Sequence, residues 1–445
     1  MKISLFLTAL LCILLIVTAC PWSSGFSGVR WPNAIADGAG GAVVVYQVNE
    51  DDTRAVYVQK LEAGGETLWS GKGVPLYSEP GPSEGGGLTA SIINSDDGRT
   101  FIVWIDKNGT HAQKVDVSGS FLWNENTPAS SGTYSTNVVG DTSGGMIVSS
   151  SGGNLNFQHL DSNGNILWET TSHIGIAQFF NFTVDALGNT FIVWEDKDFN
   201  IFTQKLDPAG NISWTPSGVL LSRNVTGGGM QSIISDGASG AIITWTYSKY
   251  IYAQRLNSEG ETLWGIGGIS LNTPVQMPLI SMPIEPQLVS DGAGGAYITW
   301  RDGMSIFGQR INASGEAVWQ EDNMQIWYGE DSPSSPLFNS ITDSSGGLFV
   351  VWNYIEAGKM VGDAHDIRAQ HFDASGNKFW GENGILVIKE SPGYITPMHI
   401  TPDGNGGAFV SWAAGANIHN ASLSYIQRVS ADGTLLWGEN GIILK

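Results

Sequence analysis

Histidine set among carboxylates can hold a metal or move a proton. This sequence offers one such cluster, Gly362-Asp363-Ala364-His365-Asp366, with Glu356 and Lys359 just before it. A later stretch holds His419 and Asn420, an acidic run comprises Glu50, Asp51 and Asp52, and Trp327 with Tyr328 offers possible stacking surfaces. Two carboxyls held about 5 Å or about 6.5–9.5 Å apart would suit a glycosidase, a distance that sequence does not test. No Walker loop, paired-cysteine zinc site or EF-hand loop is present. The many Asp-Gly steps are the residues that tight hairpins select. These residues are therefore read as candidates for binding in solvated polar loops, with no catalytic residue, metal or cofactor assigned.

The other chemically suggestive residue is Cys20. Residues 1–19 begin with Met1-Lys2, run apolar from Ile3 to Val17 and end in Thr18-Ala19, as a lipoprotein signal peptide does. Val17-Thr18-Ala19-Cys20 resembles the bacterial lipobox, which implies cleavage before Cys20 and lipidation of its thiol. Cys12 would leave with the signal, so Cys20 has no disulfide partner. Residues 20–32 then form a lipid-anchored tether and 33–445 a single domain, in the cell envelope on the extracytoplasmic side of a membrane. With 21 basic against 42 acidic residues the net charge is −21, which argues against nucleic acid and anionic membrane surfaces. Membrane contact is expected through the N-terminal lipid only, and the chain is expected to be a monomer.

The candidates must be positioned by a repeat. A glutamine precedes a tryptophan by ten positions at Gln59/Trp69, Gln113/Trp123, Gln158/Trp168, Gln204/Trp214, Gln254/Trp264, Gln309/Trp319, Gln370/Trp380 and Gln427/Trp437. A glycine stands four residues before each of these tryptophans, the mark of a tight turn. Upstream, an aspartate leads an aromatic by nine positions at Asp37/Tyr46, Asp185/Trp194, Asp236/Trp245, Asp291/Trp300, Asp343/Trp352 and Asp403/Trp412. The flanking runs are β-branched, aromatic and roughly alternating, so each half reads as a hairpin. The glutamines span 368 residues over seven intervals, a mean period of about 53, which fits a propeller blade. The expectation is an all-β, eight-bladed propeller of four-stranded antiparallel blades in one domain, closed by packing without a borrowed strand. The tryptophans are read as wedges between blades, and the glutamines as amides that pair with backbone where blades meet.

Both tight turns of a unit should share one edge, leaving connections of variable length at the other. From each aromatic position to the next glutamine the spacings are 13, 9, 8, 10, 9, 9, 18 and 15 residues. Long connections thus gather in the seventh, eighth and first units, and they carry Glu50, Asp51, Asp52, Glu356, Lys359, Asp363, His365, Asp366, His419 and Asn420.

The units, such as DGAGGAYITW followed by IYAQRLNSEGETLW, resemble those of uncharacterised β-propeller repeat lipoproteins of bacterial envelopes, a likeness that covers almost the entire chain after Cys20. The turn-plus-tryptophan element is similar to the docking repeat of pyrroloquinoline-quinone dehydrogenases and, less closely, to the sialidase Asp-box. The vicinal cysteines of the first and the arginine cluster of the second are missing. The eight-bladed lipoprotein of the outer-membrane protein assembly machinery is a looser analogue. Together these imply a non-catalytic, lipid-anchored propeller that binds a protein or glycan partner. An extracellular carbohydrate-active enzyme and a scaffold subunit of an envelope assembly are the alternatives.

Overall fold

A computed structural model of the chain describes residues 32–50, 53–69, 71–80, 89–94, 100–106, 109–123, 127–130, 138–151, 155–171, 179–225, 231–248, 250–271, 284–319, 324–329, 332, 335–343, 345–356, 358, 365–391, 394–395, 398–415 and 421–444. Strands Asn33–Ala36, Ala42–Glu50, Thr53–Leu61 and Val74–Pro80 pair in sequence order as one antiparallel blade, and the same meander recurs at 89–130, 138–171, 179–222, 232–270, 284–327 and 338–391. No helix among the described residues is long and apolar enough to cross a membrane.

The expected eight four-stranded blades are corrected by this topology: seven four-stranded blades are found among the described residues. The sheet at the C-terminal end has five strands, because Tyr394–Ile395 and His399–Pro402 both pair with Ala408–Gly415. The physical cause is length. Ala408–Gly415 is eight residues long and His399–Pro402 four, so the longer strand leaves backbone groups uncovered, and Tyr394–Ile395 pairs with them. The aspartate–aromatic spacing of Asp403 and Trp412 records the body of that strand and says nothing of the connection that joins it.

Where the first hairpin carries the repeat aspartate, as at Asp37, Asp236 and Asp403, that side chain caps its own loop. Asp37 Oδ1 accepts the N–H groups of Ala39 and Gly41, both at 2.8 Å. A Cβ on Gly41 would lie 2.1 Å from the Leu61 carbonyl, so this position must be glycine. The second strand then pairs with the third, placing an aromatic opposite an aromatic: Trp245 stacks on Tyr252 at 5.8 Å and Trp412 on Tyr425 at 5.3 Å.

The repeat glutamines are structural, but within a blade. Gln254 Oε1 accepts the Trp264 N–H at 2.9 Å and its amide donates to the Gly265 carbonyl at 2.7 Å, which ties the third strand to the turn after it. The expectation that these amides pair where blades meet is thereby corrected. The tryptophans do meet the next blade. Trp264 donates its indole N–H to Ala313 O at 3.1 Å, and a Cβ on Gly315 would lie 2.8 Å from its ring. Trp123, Trp214, Trp380 and Trp437 donate in the same way to Ser162, Ser258, Ala431 and Ala63.

Closure uses packing and side-chain bonds. Among the described residues Asn33–Ala36 pairs only with its own second strand, while Ala34, Val44 and Tyr46 share a core with Phe409, Ile426 and Trp437. Thr401 Oγ1 donates to Ala34 O at 2.9 Å and Ser411 Oγ to Pro32 O at 2.8 Å.

Candidate binding edge

The two tight turns of a blade touch one another, which fixes their shared edge. A Cβ on Gly294, in the first turn of its blade, would lie 3.5 Å from Ala313 Cβ in the second. The residue after each repeat glutamine occupies the same edge. Arg255, Arg310 and Arg428 bind Asp236, Asp291 and Asp403 of their own blades at 2.8–2.9 Å. They then reach onward, Arg255 Nη1 to Ala313 O at 3.0 Å and Arg310 Nη1 to Ala374 O at 3.0 Å. His159 and His371 take the cation's place opposite Asp141 and Asp343, and Lys60 pairs with Asp37 at 3.4 Å. A basic residue follows each repeat glutamine in the sequence, but spacing alone does not reveal that the arginines latch one blade to the next.

With the tight-turn edge occupied by latches, the meander places the remaining connections at the opposite edge, here called the loop edge. Several candidates from the sequence are at that edge. Glu50 ends the strand Ala42–Glu50 opposite Thr53. Trp327 ends the strand Met324–Trp327 and packs against the next blade, with ring centroids 5.5 Å from Tyr354 and 6.4 Å from Trp352. Tyr328 follows it and is 48% exposed. Glu356 is half-buried just beyond Leu348–Tyr354. Cys20, Asp51, Asp52, Lys359, Asp363, His419 and Asn420 lie outside the described residues.

His365 and Asp366 open the strand His365–Phe372, and neighbours on a strand face opposite ways. Their partners differ accordingly. His365 Nδ1 is 3.2 Å from the Asn353 amide nitrogen, whose donated proton makes Nδ1 the acceptor of a neutral ring. Burial lowers the His365 pKa, and Asp366 opposes that only in part. Asp366, 2% exposed, accepts the Tyr354 hydroxyl at 2.9 Å. Arg368 Nε donates to the same hydroxyl at 3.4 Å, and its guanidinium carbon stands 5.6 Å over the Tyr354 ring. Burial pushes the Tyr354 phenol up; Arg368 works against this and Asp366 with it, so the phenol stays protonated and donates. No group of three or more His, Cys, Asp or Glu placed to hold a metal occurs among the described residues.

The structure therefore joins Trp327, Tyr354, Asp366 and Arg368 at the boundary of two blades. Tyr354 and Arg368 were missed in the sequence. A signal existed for Arg368: it stands opposite Trp352, where other blades place His111, Phe202, Tyr252, Phe307 or Tyr425.

No protein-family model matches the sequence, and no curated protein matches it. Among solved structures the chain is similar to the BP39L lectin from Burkholderia pseudomallei, at 12% identity and a TM-score of 0.49 over 80% of this chain and 98% of that one. It is also similar to the β-propeller domain of the Trilobed protease from Pyrococcus furiosus, at 9% identity and a TM-score of 0.43 over 94% of this chain and 100% of that one. A eukaryotic initiation factor gives 9% identity and a TM-score of 0.47 over 96% and 92%. These are likenesses of fold.

Proposed function

We propose that the chain is a lipid-anchored, extracytoplasmic β-propeller that binds a protein or glycan partner at its loop edge and catalyses no reaction. One observation carries this reading: the aspartates, basic residues and tryptophans of the tight-turn edge are engaged in holding blades together, which leaves the connections of variable length at the other edge. Binding residues concentrate in loops displayed by a rigid scaffold. Half-buried Trp327, Tyr354 and Arg368 and buried Asp366 lie at this edge, with the Tyr354 hydroxyl bonded to both Asp366 and Arg368.

The test is partner capture from envelope extract. Replacing 357–363 by Asn-Gly, and 416–420 likewise, removes Lys359, Asp363, His419 and Asn420 and leaves the paired strands intact. The variant should melt with the parent and capture no protein partner. Undiminished capture would move the site to the channel or to the tight-turn edge.

A further inference from the structure

Phe199 occupies a position that this chain elsewhere gives to glycine. Strands Thr190–Glu195 and Ile201–Leu206 are joined through Asp196-Lys197-Asp198-Phe199-Asn200. Two backbone bonds close that turn, Asp196 N–H to Asn200 O and Phe199 N–H to Asp196 O, each 3.0 Å. The same pair of bonds closes nine other turns among the described residues, beginning at Glu62, Asp116, Asp161, Asp185, Asp207, Asn257, Asn312, Asp373 and Ser430. In every one the fourth residue is a glycine, at φ between +83° and +94°. Phe199 adopts φ +61°. A bulky L-residue is an outlier there, because its Cβ crowds the backbone.

The strain is not repaid by burial of the ring, which is 41% exposed. The hairpin beneath it is held by several hydrogen bonds. Asp196 Oδ1 accepts the N–H groups of Asp198 and Asn200, Val225 N–H donates to Phe199 O at 2.7 Å, and Gln231 donates to Glu195 at 3.2 Å. In the neighbouring blade the corresponding hairpin pairs Tyr247 with Tyr250, and Tyr247 is 39% exposed beside Ser248, itself at φ +57°. Two adjacent hairpins at the loop edge therefore each combine a non-glycine left-handed residue with a presented aromatic ring. Strain held by a fully bonded surround points to function.

The chemistry around Phe199 selects the occupant. Lys197 and Asp198 pair at 2.9 Å on the same tip, 77% and 63% exposed, and Asn224 is exposed nearby with its N–H on Asn200 Oδ1 at 3.3 Å. A protein hot spot is an anchor inside a desolvated apolar surround, which these hydrated groups do not provide. A sugar ring needs an aromatic face for its C–H side and donors and acceptors at the rim for its hydroxyls. We propose that Phe199, flanked by Lys197 and Asp198, is a stacking platform for a neutral pyranose of a glycan, with Tyr247 of the next blade's hairpin a second exposed ring at the same edge. The proposal rests on the reading of the loop edge as the binding edge, and it names the class of ligand.

The test is titration of the full chain, purified in detergent, with cello-, xylo-, manno- and chito-hexaose, alongside Phe199→Gly, Phe199→Asn and Tyr247→Ala. Glycine and asparagine both tolerate the left-handed turn, so these two variants should melt at or above the parent. Binding of one hexaose should weaken about tenfold or more in both, in line with loss of an aromatic contact. A parent that binds none of the four, a Phe199→Gly variant that binds within about twofold of the parent, or one that melts well below it would each overturn the proposal. The 357–363 replacement keeps Phe199 and should keep hexaose binding. Failure of partner capture is thus judged at that loop, and failure of sugar binding at Phe199.

Discussion

Trp437 and Gly65 close the ring. They belong to opposite ends of the chain, yet a Cβ on Gly65 would lie 3.1 Å from Trp437 Cδ1, and the Trp437 indole donates to Ala63 O at 3.1 Å. The contact repeats at Trp69 on Gly119, Trp123 on Gly164 and Trp264 on Gly315, so the seam is sealed by the device that joins every other described pair of blades. One consequence is that no blade is a free end.

Loss of this seam contact should therefore cost as much as loss of an internal one. Trp437→Ala and Trp264→Ala should each destabilise by about 3–5 kcal/mol, as truncation of a buried tryptophan does. Urea unfolding of the two variants measures it. A Trp437→Ala variant as stable as the parent would show that the seam is open in solution.

Arg310 binds Asp291 and the next blade at once, which makes a second prediction. Arg310→Ala leaves the Asp291 carboxylate, already accepting from Ala293 and Gly295, without its cation in a buried setting. The cost should be about 3–5 kcal/mol, and Arg310→Ala/Asp291→Asn should cost less than the sum of the single changes. Strict additivity would mean that the pair is not coupled.

Much of this scaffold was legible in the sequence, because the residues that build it recur. Gln254 and Trp264, or Asp291 and Trp300, announce strands and turns through spacing alone. The fifth strand at the C-terminal end was not legible, since Tyr394–Ile395 belongs to a connection with no counterpart in the repeat. Partners across blades were also hidden: nothing in the local sequence says that Arg310 ends on Ala374 O. Of the candidate site, His365 and Asp366 were found as neighbours, but strand alternation sends them to Asn353 and Tyr354 respectively. Phe199 was readable as a departure from Asp-x-x-Gly-Asn, had that turn been aligned with its copies.

His399 and Asp343 both contribute to the acid limb of stability. His399 keeps some accessible surface but is enclosed by protein, and burial lowers its pKa from 6.5 to about 4. The unfolded chain then takes the proton first, so stability is complete above about 6.5 and falls as pH drops toward about 4. Burial would raise Asp343, but bonds from His371, Gly347 and Ser345 outweigh it and hold the carboxyl at about 2. Its contribution is complete above the ordinary 3.8 and is lost as pH falls through about 2. Melting curves from pH 8 to 2 should show both declines. His399→Asn should flatten the upper one and Asp343→Asn the lower; an unchanged profile in either variant refutes that assignment.

The last prediction concerns how the chain is held. Strand Asn33–Ala36 runs from the loop edge to the tight turn at Asp37, so the chain enters the propeller from the loop edge, at Pro32. Pro32 stands twelve positions after Cys20, a reach of about 40 Å when extended. A lipid on Cys20 would thus tether the side on which the partner is proposed to bind, and tether length would set how far that edge stands off the membrane. Cys20→Ala should move the protein from the membrane pellet to the soluble fraction. Deleting residues 23–30 in the lipidated chain should keep it in the pellet and reduce partner capture, whereas the same deletion combined with Cys20→Ala should capture as well as Cys20→Ala alone. Cys20→Ala protein that stays in the pellet would sink the lipid reading, and equal capture by the long and short lipidated tethers would sink the placement of the site on the edge that the tether faces.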